Sequence, residues 1–424
     1  MSNEIKVSSK LDNFKLALAQ VNPAVGDVDG NLREARAART EAAARGADLI
    51  AFTELYLTGY PIEDLVLKPA LQAVAREARE AFVHSNTISP ITGCGGQDEL
   101  VFDGAPFVFN YDGSLRQSVA ASASSHAGIC DGGHWRSEPA PLAEIAQREA
   151  TNYLTCVTGL RDYVEKNGFP GVMLGLSGGI DSALGVAMAV DALGAKRVHG
   201  IMAYTFTSNE SLNDAAATAE ARMVHYDIMP IHPAVEGLIN SLAALPDGGD
   251  SGTAEENLRS RACGTLLMGL SNKFGPMVIT TGSKSEVSVG YATLYGDMNG
   301  SFNPINELYK TLARYRNSER PKGCLEPRAR VIPENALTKA PTAELKHNQR
   351  DQDMFPPYDT LNDIFNWLVE LEMPAPGIVA KGYAPEIVKK VERMLYLAEY
   401  KRRQAAPGVK ITSHHQQISR EALV

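Results

Sequence analysis

Short apolar runs alternate with alanine-rich amphipathic stretches along most of this chain, the pattern of a protein built from βαβ units. Residues 14–22 (FKLALAQVN) predict a strand, Asn31 to Gly46 a helix, and 48–54 (DLIAFTE) a second strand ending in Glu54. Together they make one right-handed crossover unit. A further helix is predicted from about Pro69 to Val83. Gly95-Gly96-Gln97-Asp98 then leads into ELVFDGAPFVFNYDGSL, read as two strands closed by a turn at Tyr111-Asp112-Gly113-Ser114. Residues 120–140 are small, polar and unpatterned, and read as a linker.

The second half alternates more cleanly. After a helix at about Leu142–Lys166, strands and helices follow one another at 172–176, 183–193, 197–204, 210–222, 225–232, 255–273 and 277–282. That order predicts an α/β fold with a doubly wound parallel sheet, whose ligands lie beyond the carboxyl ends of the strands. Residues 296–357 are rich in Gly, Pro and Asn and are expected as mobile loops. Two helices, at about 358–371 and 384–400, close the chain. The expected organisation is a domain at 1–120, a linker at 121–140 and a second domain at 141–424.

Composition narrows the class. The chain has 424 residues, enough for two cores, with 44% hydrophobic and 21% charged residues, a globular balance. A net charge of −9 argues against nucleic acid or an acidic membrane as partner, so an anionic substrate must be drawn by local basic clusters such as Lys401-Arg402-Arg403. Five scattered cysteines (Cys94, Cys130, Cys156, Cys263, Cys324) form no CxxC pair, which removes a zinc-knuckle reading and points to a reducing compartment. With no long apolar run, a cytoplasmic protein is expected.

The densest chemical signal is VMLGLSGGIDSAL at 172–184. A buried strand runs through Gly175 and Leu176 into Ser177-Gly178-Gly179-Ile180-Asp181-Ser182, and a helix begins there. Glycines at such a turn aim backbone N–H groups into one concavity, and the helix N-terminus adds positive partial charge, so the turn suits phosphate. Ser177 and Ser182 offer hydroxyls, and Asp181 suits a Mg2+ that bridges phosphate oxygens. Ile180 stands where a Walker A loop has its second glycine, and no Gly-Lys-Ser/Thr follows, which favours pyrophosphate release over γ-phosphoryl transfer. The plain alternative is a Gly-Ser turn before a helix.

Thr280-Thr281-Gly282-Ser283-Lys284-Ser285-Glu286 follows the predicted strand at 277–282 and adds hydroxyls and a carboxylate. Glu286 could share an ion with Asp181 if the two strands are neighbours; otherwise it reads as a helix-capping acid. Arg259 and Arg261 project from a helix that packs through Leu258, Leu266 and Leu267, toward a phosphate or toward surface carboxylates.

SGGIDS, TTG-x-KSE, VGYATLYGDM, LYKT, PTAEL, DQD-x-x-PPYD and EYKRRQ occur in this order and spacing between about Leu142 and Lys410. In these motifs the chain resembles the synthetase domain of glutamine-dependent NAD+ synthetases, an adenine-nucleotide α-hydrolase-like fold of the PP-loop type. LALAQVNPAVGD, FTELYLTGYPIEDL and GGQDELVFDG resemble the start of the same family's nitrilase-like glutaminase domain.

The resemblance implies ATP-dependent amidation of deamido-NAD+ through an adenylated intermediate, giving NAD+, AMP and pyrophosphate, with Mg2+ as cofactor. It also implies a homo-oligomer. By motif, residues 175–182 hold the ATP phosphates, Asp181 binds Mg2+, Thr281 and Thr342 contact ATP, and Glu286 sits at the Mg2+ and the activated carboxylate. Lys310 neutralises phosphate charge, and Asn257, Arg261 and Lys401 contact deamido-NAD+. Without the family, Lys310 and Lys401 read as ordinary surface lysines. The sequence departs from the family pattern at Ser283, usually Asn, and at Asn306, commonly Lys. Other PP-loop amidotransferases and a nucleotide-binding homologue without turnover are the competing readings.

A nitrilase-type amidase needs a Glu base, a Lys for the oxyanion and a Cys nucleophile. Glu54 matches the base. No lysine lies between Pro69 and Glu165, and neither Cys94 nor Cys130 sits in a Cys-Glu-Asp setting. Roughly a hundred residues of the family's glutaminase are expected to be missing between the helix near 83 and Gly95. Glutamine hydrolysis is therefore expected to be lost or impaired, with free ammonia as the nitrogen donor.

Overall fold

The computed structural model describes residues 16–19, 21–47, 49–53, 55–62, 65, 67–82, 87–88, 94–103, 107–109, 115–118, 128–131, 134–137, 148–204, 208–243, 251–306, 311–326, 330–339 and 356–411. Glu54, Lys310 and Thr342 lie outside them. The chain divides into two compact units, Met1–Ala146 and Gln147–Val424.

The first unit opens as predicted. β1 (Leu16–Leu18), α1 (Val28–Ala44), β2 (Leu49–Ala51), α2 (Pro69–Phe82) and β3 (Thr87–Ile88) form a three-stranded parallel sheet in the order β1-β2-β3. Asp27 caps α1 by accepting from Gly30 N at 2.9 Å. Buried Asn31 fixes the entry chain, exchanging hydrogen bonds with Ala24 and donating to the Leu57 carbonyl. Apolar side chains from both helices and strands meet around Phe52, whose ring stacks near Tyr56 and edge-on to Phe82. Three antiparallel hairpins follow: β4 (Cys94–Gln97) with β5 (Leu100–Asp103), β6 (Phe107–Phe109) with β7 (Leu115–Ser118), and β8 (Gly128–Asp131) with β9 (His134–Ser137). The last lies inside the stretch read as a linker.

The second unit starts with α3 (Arg148–Lys166). β10 (Val172–Gly175), α4 (Ile180–Leu193), β11 (Val198–Tyr204), α5 (Asn209–Arg222), β12 (His225–Pro230), α6 (His232–Ala243), α7 (Ser251–Phe274) and β13 (Met277–Val278) complete a parallel sheet in the order β12-β11-β10-β13. The chain therefore leaves β10 toward one edge and returns to its other side, which makes the gap between β10 and β13 the topological switch point. α4 is buried over almost its whole length, from Ala183 to Leu193, which explains a composition apolar but for Asp191.

Short helices finish the unit: α8 (Lys284–Val289), α9 (Thr311–Ser318), α10 (Glu334–Thr338), α11 (Tyr358–Phe365), α12 (Ala375–Val379), α13 (Pro385–Leu397) and α14 (Glu399–Arg402). The expectation of mobile loops over 296–357 is corrected for 296–306, 311–326 and 330–339; residues 307–310, 327–329 and 340–355 lie outside the described residues. Phe302 pairs with Ile279 beside β13, Ile305 and Phe302 are fully buried, and α9 and α10 interrupt the stretch.

What anchors α9 is a buried charge network. Asp191, near the end of α4, accepts from Tyr153 OH (2.6 Å), Arg316 Nε (2.7 Å) and Arg316 Nη2 (3.2 Å). Arg222 of α5 stands 3.6 Å from the same carboxylate and 3.9 Å from Glu326. Asp191, Arg222, Arg316 and Tyr153 have no exposed surface. Burial, reinforced by Asp191, pushes the Tyr153 hydroxyl well above its usual pKa, and burial pulls the Arg222 guanidinium down.

Candidate active site

The Ser177 loop leaves β10 at the switch point. Leu176 N still donates to Ile201 O at 2.8 Å, holding the loop to β11. Beyond it the two serines organise the turn: Ser177 Oγ lies 3.2 Å from Ser182 Oγ, Ser177 N donates to Ser182 Oγ at 3.3 Å, and Ser182 Oγ donates to Gly179 O at 3.0 Å. Gly178 has φ +82°, and a Cβ there would come within 2.5 Å of the Ser211 carbonyl. Gly179 is the N-cap of α4 and offers no side chain, so the first N–H groups of that helix have no side-chain cap. The result is a concavity of backbone donors and hydroxyls at the positive end of a buried helix, suited to phosphate oxygens. Asp181 is half-buried in the first turn.

β13 is the strand beside β10, so the TTGSKSE segment stands next to the loop. Thr281 packs on α4 where the helix has Gly185, its Cγ2 2.5 Å from where a Cβ would sit. Glu286 serves as a cap: its Oε2 accepts from Ser283 N (2.9 Å) and Ser283 Oγ (2.8 Å) at the start of α8, and its Oε1 lies 3.5 Å from Tyr358 OH. The capping reading and the ion reading are compatible, because a carboxylate has lone pairs to spare. Asp181 opens the helix after β10 and Glu286 the helix after the neighbouring β13, and their chemistry fits Mg2+, which takes one or two carboxylates and fills its shell with phosphate oxygens and water.

Asn257, Arg261 and Lys401 come from α7 and α14, yet all three reach the segment 290–294. Asn257 accepts from Thr293 Oγ1 at 2.9 Å, Arg261 Nε donates to Leu294 O at 3.2 Å, and Lys401 Nζ donates to Gly290 O and Ala292 O at 2.7 Å each. Burial lowers the pKa of Lys401, against the pull of Asp297. The loop can press this close because Gly264 of α7 and Gly296 meet backbone to backbone; a Cβ on either would overlap the Gly296 carbonyl or the Ser260 hydroxyl. Arg259 does not project free. It pairs with Glu255 one turn earlier in α7, at 3.2 Å.

One cation near the loop escaped sequence reasoning. Lys339, just past α10, bonds the Ser211 hydroxyl and lies 3.6 Å from Asp214, both on the α5 turn that Gly178 touches. Its place three residues before Thr342 in PTAEL was the available signal.

Residues 153–405 match the NAD synthase family profile and 15–99 the carbon-nitrogen hydrolase profile. A glutamine-dependent NAD(+) synthetase of Rhodobacter capsulatus is 35% identical over 95% of this chain and 96% of its own length. That alignment runs over 534 positions against the 424 residues here, so at least 110 positions have no counterpart in this chain. The enzyme of the same name from Xanthomonas campestris is 42% identical over 80% of this chain and 60% of its own. Among solved structures, the glutamine-dependent NAD+ synthetase of Acinetobacter baumannii, in complex with ADP, superposes with a TM-score of 0.65 at 32% identity, covering 96% and 97% of the two chains. That from Cytophaga hutchinsonii gives 0.71 at 16% identity, a likeness of fold.

Proposed function

The chain belongs to the glutamine-dependent NAD+ synthetase family, and from that premise we propose that it amidates deamido-NAD+ with ATP, using free ammonia as its effective nitrogen donor. A carboxylate is a poor electrophile at neutral pH. In the proposed reaction a nicotinate carboxylate oxygen attacks the α-phosphorus, the bond between α- and β-phosphates breaks, and pyrophosphate leaves with the electron pair. Ammonia then attacks the acyl carbon and expels AMP, the surplus proton passing to solvent.

In this reading the Ser177–Ser182 turn and the α4 N-terminus bind and orient the phosphates. Thr281, Thr342 and Lys310 complete the ATP side, and Lys339 adds a neighbouring positive charge. Asn257 and Arg261 hold the dinucleotide, and Lys401 fixes the 290–294 segment that they share. Asp181 and Glu286 would hold Mg2+, which supplies neutralisation of phosphate charge when bound. The observation that carries the reading is the phosphate-type loop at a switch point beside a second strand end bearing TTGSKSE.

Loss of glutamine use rests on sequence: no lysine occurs from Pro69 to Glu165, and the relatives' extra length has no counterpart here. Glu54 keeps the place of the amidase base without its partners. No described helix is long and apolar enough to cross a membrane. A homo-oligomer in the cytoplasm is part of the same proposal, checked for assembly by light scattering.

The experiment supplies the purified chain with Mg-ATP and deamido-NAD+, and either ammonium or glutamine. Pyrophosphate and NAD+ with ammonium, and a far lower rate with glutamine, are expected. Equal turnover with glutamine would overturn the donor assignment. Nucleotide binding without pyrophosphate release would make the chain a binder instead.

A further inference from the structure

We propose that His199, His225 and Asp227 form a binding site for a divalent first-row transition ion, Zn2+ above all, on the edge of the second unit's sheet. Strand register brings the three together. His199 of β11 is paired with His225 of β12, and Asp227 stands two residues further along β12, so their side chains leave one face. His199 Nε2 lies 2.8 Å from Asp227 Oδ2, and His225 Nδ1 lies 3.6 Å from the same oxygen. One donor atom from each residue falls within 4.8 Å of the other two. Ligands held ~2.0–2.1 Å from a tetrahedral zinc stand roughly 3.3 Å apart, a value that the two measured separations bracket.

The donor set discriminates. Two imidazoles and a carboxylate suit Zn2+, Cu2+ or Ni2+, whereas Mg2+ takes oxygen. The side chains of His225 and Asp227 are 68% and 57% exposed, which leaves room for water to complete the shell. His199 is the partly buried member, which fixes its ring beside the two exposed ligands. The site is separate from the nucleotide loop: His199 pairs with Met173 near the start of β10, and His225 and Asp227 lie one strand further out, whereas the loop leaves the opposite, carboxyl end of β10. None of its ligands takes part in the proposed reaction. An ion there would staple the edge strand to β11, where a sheet otherwise presents unpaired backbone. Because it binds the folded chain, it would also raise thermal stability.

The test uses the full chain, stripped with chelator and exchanged into chelator-free buffer. Zn2+ is titrated by calorimetry, and Cu2+ binding is followed by electron paramagnetic resonance. One equivalent is expected, unaffected by millimolar Mg2+, with coupling to two imidazole nitrogens in the Cu2+ spectrum. His225→Ala and Asp227→Ala are each expected to weaken Zn2+ binding by roughly a hundredfold, since loss of even an outer partner costs about 10–100-fold. Parent-like affinity in either folded variant overturns the proposal. So does a Cu2+ spectrum of the unaltered chain with fewer than two coupled nitrogens, a measurement that does not depend on any variant folding.

Discussion

Replacing Asp191 with alanine tests how the second unit is held together. The substitution removes the carboxylate that Tyr153 and Arg316 share and that Arg222 approaches, all within a site without exposed surface. Arg316 would then lose the carboxylate to which it donates, while Arg222 would keep Glu326 at 3.9 Å. Breaking a buried ion pair from one side costs about 3–5 kcal/mol, because the abandoned charge keeps its desolvation penalty without its partner. Against a typical domain stability of about 5–15 kcal/mol this is a large share. For a unit of this size, each kcal/mol moves the melting temperature by about 2–4 °C, so a fall of roughly 10–15 °C is expected. Urea and thermal unfolding of the full chain, followed by circular dichroism, give the number. The double variant Asp191→Leu with Arg316→Met removes both charges and leaves Arg222 opposite Glu326, so most of the loss should return. A single variant within about 1 kcal/mol of the parent, or a double variant no better than the single, would refute the reasoning.

Three other outcomes are expected. Gly178→Ala forces a left-handed residue to carry a Cβ against the Ser211 carbonyl, a strain of about 1–2 kcal/mol before the clash is counted, and should raise the KM for ATP at least about tenfold; an unchanged KM would contradict the loop assignment. Burial pushes the Cys263 thiol up to about 11 and the Cys324 thiol up to about 12, so alkylation at pH 8 followed by peptide mass mapping should leave both unmodified until the chain is unfolded. Because the folded value of Cys324 lies above the unfolded one, its contribution to stability is whole below pH ~9 and is lost as pH climbs toward the folded value. Cys324→Ala should therefore lose stability less steeply above pH ~9, and an identical slope would count against it.

The sequence disclosed the regular parts of the fold and little of what clamps them. α1, α2 and α5 and the strands β10 and β11 could be read off from apolar spacing and apolar runs, although the reading began α1 at Asn31, inside the Val28 start that Asp27 caps. α6 and α8 were missed. The first carries a helical apolar spacing at Val235, Leu238, Ile239 and Leu242 that the reading passed over, although only Val235 is fully buried. The second is one and a half turns set by a capping box, too short for any period to register. The stretch at 296–357 reads as loop because Pro and Asn recur in it, while α9 within it is tied down by Arg316 and Asp191, 125 residues apart. Among the site residues, the loop at 175–182 was legible from local chemistry. Lys401 was legible only by resemblance, since its two carbonyl partners lie more than a hundred residues earlier.

The seam where Gly264 meets Gly296 gives one wall of the proposed dinucleotide pocket a fixed thickness. Only hydrogen atoms separate the helix from the strap that crosses it, so neither can be thickened without prying the wall open. Any redesign toward a bulkier or differently charged dinucleotide has to work through the functional groups that rise around the seam, Asn257 and Arg261 foremost. Alanine at either glycine should act on affinity for the acid dinucleotide while leaving the nucleotide triphosphate's own cradle in place.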